Sequence, residues 1–404
     1  MIKRWQTVRL EAMMRIRRGV NLTGARQTGK STMAAMAELP RARRYTFDDK
    51  AVRSVAESDP HGFVRHQPGE SLVIDEAQKV PDILDAIKMV VDSDNAPGQY
   101  LLTGSSNLRF AKAVRDSLAG RLGRIRLRTL AQGEIAGRGP GFLDAAFGCS
   151  FRSSYPELDK RELIHLAFLG GYPEPLGYPQ ADRASWMRDY LGDLLEKDVR
   201  DVTEIRKLPI LNATAQWLLA HTAQFVTIDE LAARTAVSKT TARNYTEALK
   251  ALYLFDEIPA WSHGDYPLLG RRGKWLATDT ALVAGVLGWD EEQVYMDPNR
   301  SGKLAETWVY QQLAAEADAG DAVTISHYRD GRGHEIDFMV ERPGGAVLGI
   351  EVKAGQISPG DFRHLKWFAA NSPGIPFTGV VFHSGSQTLR FGEGFWAVPF
   401  GALA

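Results

Sequence analysis

The chain has 404 residues, enough for two or three domains with sizeable hydrophobic cores. Its 49 lysines and arginines balance its 49 aspartates and glutamates, so the net charge by itself indicates no nucleic-acid or membrane partner. A single cysteine, Cys149, excludes an intrachain disulfide and favours a reducing compartment. The first residues lack the apolar core of a signal peptide, and no run of about twenty apolar residues predicts a membrane span. We therefore expect a soluble, cytoplasmic protein with no membrane partner.

The first chemical motif is a glycine-rich loop near the N-terminus, between a predicted strand at 20–23 and a predicted helix at 31–37. The spacing of its two glycines, its lysine and its hydroxyl matches a phosphate-binding loop. The loop residues are Gly24, Ala25, Arg26, Gln27, Thr28, Gly29, Lys30, Ser31 and Thr32. The alternative, a turn that only links a strand to a helix, is disfavoured because the motif is complete and both flanks fit.

This loop predicts the binding of ATP or GTP together with Mg²⁺. Glycines allow successive backbone N–H groups to converge on phosphate oxygens, and the N-terminus of the following helix adds partial positive charge. We expect Lys30 to reach the β- and γ-phosphates and Ser31 to ligate Mg²⁺.

A second predicted strand ends in two carboxylates. The apolar residues 72–74 lead directly into Asp75 and Glu76. We expect Asp75 to hold Mg²⁺, directly or through water, and Glu76 to orient and polarise the attacking water. A third predicted strand, at 99–107, ends in polar side chains, one of which would sense the γ-phosphate or hold the water. The candidates, which the spacing does not distinguish, are Thr103, Ser105 and Asn107.

A basic stretch follows the third strand and contains one acidic residue, Asp116, against seven basic residues. Most of these side chains are expected to lie on a solvated helix followed by an exposed strand. One arginine could instead act as an arginine finger on the nucleotide of a second copy, which would require a homo-oligomer. Arg121 is the first candidate. The seven basic residues are Arg109, Lys112, Arg115, Arg121, Arg124, Arg126 and Arg128.

The ATPase pattern ends at a linker-like cluster, 138–141, and a mainly helical region follows. Apolar residues at 163–169 and at 186–199 have helical periodicity. His165 lies in the first of these segments, and we expect it to be a packed core histidine.

A helix-turn-helix is predicted further along the chain. Thr227 and Glu230 form a capping box for a short helix through Arg234, a turn at 236–237 follows, and Ser238 caps a second helix at 239–251. The segment 253–258 would be the strand of a wing, which makes the module a winged helix. In a DNA-binding protein the start of the second helix would face the groove. The residues concerned are Ser238, Lys239, Thr240, Arg243 and Asn244. Because the second helix has only three basic residues, a role in protein contacts or in domain packing is an equal alternative.

The last third of the chain contains a second set of charged side chains. A helix at 302–313 places Glu306 on an apolar stripe. Burying a carboxylate there costs free energy unless the group is paired or has a functional role. A strand at 334–340 contains Asp337, and a strand at 347–353 presents Glu351 and Lys353 on one face. If the two strands pair as a hairpin, Asp337 lies beside that pair. The alternative is a hairpin with a surface charge pair.

This set resembles the catalytic core of the PD-(D/E)XK nuclease superfamily. The resemblance implies that Asp337 and Glu351 ligate Mg²⁺ and that Glu306 completes or tunes the metal site. It also implies that Lys353 orients the attacking water or stabilises developing charge, with Gln356 assisting. A nuclease-like fold is the stronger expectation, and nuclease activity is a separate one.

All these motifs together resemble a family of bacterial and archaeal AAA-type ATP-binding proteins whose C-terminal region is catalogued as a domain of unknown function. The resemblance spans nearly the whole chain, including segments 102–106, 117–121 and 170–174, and it implies ATP rather than GTP. We therefore predict an α/β protein with three domains. These are a P-loop AAA-type ATPase domain at 1–140, a helical region with a winged helix-turn-helix at 141–262, and an α/β restriction-nuclease-like domain at 263–404.

Two functional hypotheses follow. In the first, a Mg²⁺-dependent ATPase couples its nucleotide state to a DNA-binding or nuclease-like C-terminal domain, which could cleave nucleic acid with Mg²⁺. In the second, the protein is an ATP-dependent regulatory switch whose nuclease-like module is inert and binds DNA or a protein partner. A small-molecule kinase is disfavoured, because the carboxylates after the second strand suit water activation.

Overall fold

The structure is a computed structural model that describes residues 2–104, 118–197, 208–262, 272–320 and 323–404. Contacts within the chain divide it into two compact units. The N-terminal unit comprises Met1–Thr129, Asp193–Arg206 and Ala251–Tyr253, and the C-terminal unit comprises Leu130–Gly192, Lys207–Lys250 and Leu254–Ala404. Within the described ranges, every helix is too short or too polar to cross a membrane.

The N-terminal unit is built on a five-stranded parallel sheet with the strand order β2-β3-β4-β1-β5. The predicted strand at 20–23 and the helix after the loop are confirmed to within one residue, and the strands predicted at 71–78 and 99–107 are present in their first parts as β3 and β4. The strand expected in the basic stretch is present as β5, whereas β2 was not predicted. The elements up to residue 126 are α1 (Gln6–Ile16), β1 (Gly19–Thr23), α2 (Lys30–Met36), β2 (Arg43–Thr46), α3 (Lys50–Ser58), α4 (Pro60–Phe63), β3 (Leu72–Asp75), a 3₁₀ turn (Ala77–Lys79), α5 (Ile83–Ser93), β4 (Tyr100–Thr103) and β5 (Leu122–Arg126).

The sheet is buried on both faces because its central strands are apolar at consecutive positions. Leu72 and Ile74 of β3 belong to a core that includes α5, whereas Val73 between them belongs to a second core with residues of α1 and α2. Successive side chains of a strand point to opposite faces, so one strand serves both cores. Because the strands are parallel, the loop after β1 and the polar ends of β3 and β4 lie at one edge of the sheet.

From residue 130 onward the chain is a mixture of helices and two larger sheets. The elements are α6 (Gln132–Ile135), α7 (Phe142–Phe147), β6 (Ser154–Leu158), α8 (Lys160–Leu169), a 3₁₀ turn (Glu174–Gly177), α9 (Gln180–Lys197), α10 (Leu208–Ala220), β7 (Gln224–Phe225), α11 (Ile228–Thr235), α12 (Lys239–Ala251), β8 (Phe255–Ile258), β9 (Lys274–Ala277), α13 (Thr280–Leu287), α14 (Glu291–Met296), α15 (Pro298–Ala319), β10 (Thr324–Arg329), β11 (Glu335–Glu341), β12 (Val347–Val352), a 3₁₀ turn (Pro359–Phe362), α16 (Arg363–Asn371), β13 (Phe377–His383), β14 (Gly385–Gln387), β15 (Leu389–Arg390), β16 (Phe395–Pro399) and a 3₁₀ turn (Phe400–Ala402).

The two short helices predicted after residue 226 are present as α11 and α12. The capping box is formed, since the Glu230 N–H donates to Thr227 Oγ1 at 3.1 Å and the Thr227 N–H donates to Glu230 Oε2 at 2.9 Å. Ala236 has a φ of +52° in the turn between the helices, and Ser238 Oγ accepts from the Thr241 N–H at 3.1 Å. The strands β7, β9 and β8 form a three-stranded antiparallel sheet with β9 in the centre. In the chain, β7 precedes these two helices, and β8 and β9 follow them.

The largest sheet has the strand order β10-β11-β12-β13-β16-β15. The predicted hairpin is confirmed, because β11 and β12 pair antiparallel with Phe338 opposite Ile350. The next two neighbours, β13 and β16, are parallel to β12 and to each other. One face of this sheet packs on Leu365 and Phe368 of α16, and α15 contacts β12 and β9.

Residues 130–140, which the sequence analysis assigned to the ATPase domain, belong by their contacts to the C-terminal unit. The Leu130 N–H donates to the Gly171 carbonyl at 2.7 Å, and the Gln132 N–H donates to Gln312 Oε1 at 2.7 Å. A Cβ at Gly171 would lie 2.2 Å from the Leu130 carbonyl oxygen, so this close approach requires glycine. Its N–H donates to the buried carboxylate of Asp279 at 2.9 Å. The glycine pair at 170–171 therefore has a packing role.

The expectation for His165 was wrong. Its side chain is 61% exposed, and its Nδ1 lies 3.3 Å from Glu291 Oε1. The inward face of α8 is formed by Leu163, Ile164, Ala167 and Phe168, so His165 falls on the outward face of the same helical repeat.

Candidate functional site

The glycine-rich loop joins β1 to α2, as predicted, and uses backbone conformations that favour glycine. Gly24 has a φ of +148° and Gly29 a φ of +90°. A Cβ at Gly24 would lie 2.1 Å from the Leu127 carbonyl oxygen, so no larger residue fits there. Gln27 also has a positive φ, +59°, which is strained for a residue with a Cβ. Of the loop residues, Gln27, Ser31 and Thr32 are exposed, Arg26 and Gly29 are half-buried, and Gly24, Ala25, Thr28 and Lys30 are buried.

The side chain of Lys30 is folded back into the loop. Its ammonium donates to the Gly24 carbonyl at 3.0 Å and to the Ala25 carbonyl at 2.5 Å. Thr28 Oγ1 donates to the same Ala25 carbonyl at 2.9 Å. The positive charge is therefore held at the centre of the loop, where a phosphate group would be attracted to it.

Arg4 is a residue of this site that the sequence analysis missed. Its guanidinium is buried and donates to the carbonyl of Thr28 in the loop at 2.7 Å and to the carbonyl of Arg128, after β5, at 2.7 Å. It thereby ties the loop to a segment more than a hundred residues away. No local pattern around Arg4 could have indicated these contacts.

Three polar side chains converge from α2, β3 and β4. Ser31 Oγ donates to Asp75 Oδ1 at 2.9 Å, and Thr103 Oγ1 donates to the same carboxylate oxygen. The Glu76 N–H lies 3.4 Å from Thr103 Oγ1. The predicted association of Ser31 with Asp75 is therefore present, and Thr103 links Asp75 to Glu76. Ser105 and Asn107, the other two candidates for sensing the γ-phosphate, lie outside the described residues.

Glu76 has a φ of +57°, an uncommon conformation for a residue with a Cβ. Its Oε2 accepts a hydrogen bond from Gln78 Nε2, which sets the direction of the carboxylate. Strained backbone of this kind is concentrated at functional sites.

Arg121 is paired within its own chain. Its Nε lies 2.5 Å from Asp92 Oδ1 and its Nη2 lies 2.9 Å from Asp92 Oδ2, so the contact is bidentate. Hydrogen bonding from Arg121 lowers the pKa of the Asp92 carboxyl. Arg109, Lys112 and Arg115 lie outside the described residues.

The charged residues predicted in the last third of the chain do meet in the C-terminal unit, together with a lysine that was not predicted. We call this group the carboxylate–lysine cluster. Its members are Lys274 on β9, Glu306 on α15, Asp337 on β11, Glu351 on β12 and Lys353 just after β12. Gln356 is exposed.

Backbone pairing positions two of the carboxylates in the cluster. The Val352 N–H donates to Asp337 Oδ2 at 2.9 Å, so Asp337 lies beside the end of β12 as the hairpin predicted. Lys353 Nζ lies 3.5 Å from Glu351 Oε2. The other carboxylate oxygen of Glu351, Oε1, is buried and has no hydrogen-bond partner within the described part of the chain.

Lys274 is the most buried member of the cluster, with 1% of its side chain exposed. Its ammonium contacts Glu306 Oε1 and lies 3.3 Å from Asp337 Oδ1. Burial by itself lowers the pKa of this ammonium, but the charges of Glu306 and Asp337 more than offset burial and raise the pKa above its ordinary value. Lys274 is therefore a charged group at neutral pH.

Two of the three carboxyls in the cluster have raised pKa values. Burial, with the nearby charge of Asp337, raises the pKa of Glu306 to about 8 although Lys274 opposes the shift. The same two causes raise the pKa of Glu351 to about 9, against the opposing charges of Lys353 and Lys274. Protonated carboxyls are poor metal ligands.

The cluster does not fit a divalent cation as it stands. Nowhere in the described part of the chain do three or more histidine, cysteine, aspartate or glutamate side chains form a group that could hold a metal ion. The sequence analysis placed Mg²⁺ at Asp337 and Glu351, but the ammonium of Lys274 lies between Asp337 and Glu306. By contrast, Ser31 and Asp75 offer a hydroxyl and a carboxylate oxygen side by side, which are the donors that Mg²⁺ takes in addition to phosphate oxygens and water.

A parallel sheet whose first strand runs through a glycine-rich loop into a helix, with an aspartate at the end of a nearby strand, defines a P-loop domain. Residues 17–136 match the model of the AAA domain, so this part of the chain is similar to AAA-type domains. Residues 160–293 match a domain of unknown function (DUF8612), and residues 301–403 match another (DUF4143).

Similar proteins extend the comparison over most of the chain. The uncharacterized proteins Rv2008c of Mycobacterium tuberculosis and Mb2031c of Mycobacterium bovis are each 27% identical to it over 357 residues, which is 85% of this chain and 74% of the relative. Among solved structures, AMPPCP-bound DnaA from Aquifex aeolicus is 14% identical, over 60% of this chain and 84% of that chain, with a TM-score of 0.24. The Holliday junction branch migration motor RuvB from Thermotoga maritima is 16% identical, over 64% and 90%, with a TM-score of 0.29. Scores this low carry no argument about this chain.

Proposed function

We propose that the AAA-type domain binds ATP with Mg²⁺ and hydrolyses the bond between its β- and γ-phosphates. The observation that carries this proposal is the 2.9 Å hydrogen bond between Ser31 of the loop and Asp75 at the end of β3. It places the hydroxyl and the carboxylate that Mg²⁺ would use next to the loop that would hold the phosphates. When bound, Mg²⁺ would neutralise charge on the β- and γ-phosphates.

The roles of the other side chains follow from their positions. Lys30 would exchange its two carbonyl contacts for phosphate oxygens, which are stronger acceptors for an ammonium. Glu76 would accept a hydrogen bond from the attacking water and hold it in line with the γ-phosphate. Thr103 would position both carboxylates, because it contacts Asp75 and lies within 3.4 Å of the Glu76 N–H.

Binding and turnover test this proposal separately. Isothermal titration with ATP and Mg²⁺ should show binding by the wild type and none by Lys30→Ala, with the exposed Lys50→Ala as the matched control. A phosphate-release assay should show that Glu76→Gln still binds ATP but turns over at least a hundredfold more slowly, whereas the exposed Glu57→Gln does not differ from wild type. Normal turnover by Glu76→Gln would show that another group activates the water.

Arg121 stays the first candidate for an arginine finger, and this proposal requires it to leave Asp92 and reach the nucleotide of a second copy. Mixing inactive Glu76→Gln protein with inactive Arg121→Ala protein tests it. Mixed oligomers recover turnover if the arginine acts between copies, and both variants stay inactive in the mixture if it does not.

For the C-terminal unit we propose a regulatory switch with an inert nuclease-like module rather than an active nuclease. The order of α15, the β11–β12 hairpin and the parallel strands supports the nuclease-like fold, and Lys274 between two carboxylates favours inactivity. Labelled DNA incubated with ATP and Mg²⁺ or Mn²⁺ should stay intact. Cleavage by the wild type that is lost in Lys353→Ala would establish the nuclease instead.

We also propose that α11, α12 and the three-stranded sheet form a winged helix that binds a protein partner. All five residues predicted to face DNA are exposed, but Lys239 is paired with Asp229 at 3.0 Å and Glu247 is exposed on the same helix. Acidic side chains beside the basic residues weaken the attraction of this surface to DNA phosphates. Fluorescence anisotropy with duplex DNA at low salt should therefore show no binding, and binding that weakens in Arg243→Ala would favour DNA.

A further inference from the structure

Lys274 lies in the carboxylate–lysine cluster, and neither of the two hypotheses from the sequence gave it a role. Its ammonium is within hydrogen-bonding reach of carboxylate oxygens from two different elements, Glu306 on α15 and Asp337 on β11. A cation that bridges these two side chains would have to lie where this nitrogen lies. The ammonium and a divalent cation therefore exclude each other, by volume and by charge repulsion.

The ammonium is also prevented from turning away. Lys274 lies on the central strand of the sheet β7-β9-β8, with Phe225 opposite it on one side and Ile258 opposite it on the other. The rings of Phe225 and Phe338 lie 5.9 Å and 5.5 Å from its Nζ, distances at which an aromatic ring attracts a cation. The side chain is thus enclosed by rings and carboxylates, with its backbone fixed by two neighbouring strands.

The remaining carboxylate, Glu351, has a free ligand atom. Its buried Oε1 has no hydrogen-bond partner among the described residues, and Asp337 approaches the same end of β12 through the Val352 N–H. Without the Lys274 ammonium, Glu306 and Asp337 would have no cation between them, and Lys353 beside Glu351 would be the ammonium left in the cluster. Carboxylate oxygens in that arrangement are the ligand set that Mg²⁺ and Mn²⁺ use.

We propose that Lys274 is the built-in counter-ion of this site and takes the place of a divalent cation, so that the site binds no Mg²⁺ or Mn²⁺ while β9 stays in its sheet. Removing the ammonium frees the oxygens of Glu306 and Asp337, with Glu351 on the neighbouring strand, to take a divalent cation together with water. This inference concerns the C-terminal unit alone and does not depend on ATP hydrolysis by the AAA-type domain.

Mn²⁺ titration of the full chain without nucleotide, followed by electron paramagnetic resonance of the free ion, tests the proposal. Every protein carries Asp75→Asn, which removes the carboxylate of the other candidate metal site. The parent should bind no Mn²⁺ that depends on Asp337. Lys274→Met should bind one additional Mn²⁺ ion, at least tenfold more tightly than the parent binds Mn²⁺. Adding Asp337→Asn to that variant should abolish the gain, and the matched control Lys303→Met, which removes a half-buried lysine elsewhere on α15, should gain nothing.

Two outcomes overturn the proposal. One is Mn²⁺ binding by the parent that disappears on Asp337→Asn, because the site would then take a metal with Lys274 present. The other is a Lys274→Met variant that is folded by circular dichroism and gains no ion. Since methionine leaves two carboxylates without a counter-ion, that variant could unfold, but the first comparison uses Lys274 intact and decides the question even then.

Discussion

Glu316 on α15 should make the stability of the C-terminal unit depend on pH in an unusual direction. Its side chain is buried, and its Oε1 accepts from the Leu143 N–H at 2.9 Å, close to the start of α7. Burial raises the pKa of this carboxyl from 4.5 to about 7, although backbone N–H groups partly oppose the shift. Between pH 4.5 and about pH 7, the folded protein keeps a proton on Glu316 that the unfolded chain releases.

The direction and the size of the effect follow from proton linkage. Because the folded state binds more protons, the contribution of Glu316 to stability is fully present below about pH 4.5 and is lost as the pH rises through about 7. One pKa unit corresponds to about 1.4 kcal/mol, so the free energy of unfolding should fall by about 3 kcal/mol over that window on account of this group. Glu316→Gln has no proton to lose and keeps an oxygen for the Leu143 N–H. At pH 8 it should therefore be more stable than the wild type by about this amount, and at pH 4.5 the two should be similar.

Urea unfolding followed by tryptophan fluorescence measures this difference, because eight of the nine tryptophans lie in the C-terminal unit. Glu306 and Glu351 also have raised pKa values, but they affect wild type and variant alike and cancel in the comparison. The exposed Glu157→Gln serves as the control and should follow the wild-type curve at every pH. Parallel curves for wild type and Glu316→Gln would refute the reasoning.

Three further predictions concern positioning and packing. Thr103→Val removes the hydroxyl that contacts Asp75 and the Glu76 N–H at the end of β3. The rate of ATP turnover should therefore fall roughly tenfold with little change in KM. A change confined to KM would contradict this role. Arg4→Ala removes two hydrogen bonds from a charged donor to carbonyls, and each such bond is worth roughly 1.5–3 kcal/mol. Calorimetry should therefore show at least tenfold weaker ATP binding by this variant. The exposed Lys3→Ala variant should bind ATP normally. Gly171→Ala would place a methyl group 2.2 Å from a main-chain oxygen and should lower the free energy of unfolding by about 1–3 kcal/mol in a urea titration. The matched Gly177→Ala has open space at its Cβ, and equal losses in the two variants would show that the contact does not matter.

Elements whose causes lie within a few residues were predictable. The P-loop depends on a spacing of glycines, lysine and serine, and its flanking strand and helix were found within one or two residues. The capping box of Thr227 and Glu230 is a contact over three residues, and it is present at the predicted position. The β11–β12 hairpin follows from period-two alternation on both sides of a glycine turn, which also placed Asp337 beside Glu351 and Lys353.

Three outcomes were decided by tertiary structure, because they depend on residues that are far apart in the chain. Residues 130–140 pack against Gly171 and α15, so the boundary predicted at 140 does not coincide with the edge of either compact unit. Arg4 reaches the P-loop and the segment after β5. Lys274 looks like an ordinary lysine in a short strand of apolar neighbours, and its sequence context predicts nothing about a carboxylate partner.

The local sequence thus determined which side chains could bind phosphate and which carboxylates would meet on one hairpin, since spacing and strand periodicity fix those relations over short distances. The charge of the cluster was settled only by folding, when β9 brought a buried ammonium to Glu306, 32 positions further along, and to Asp337, 63 positions away. Electrostatic energy depends on distance in space, and that distance is set by the tertiary fold rather than by spacing along the chain.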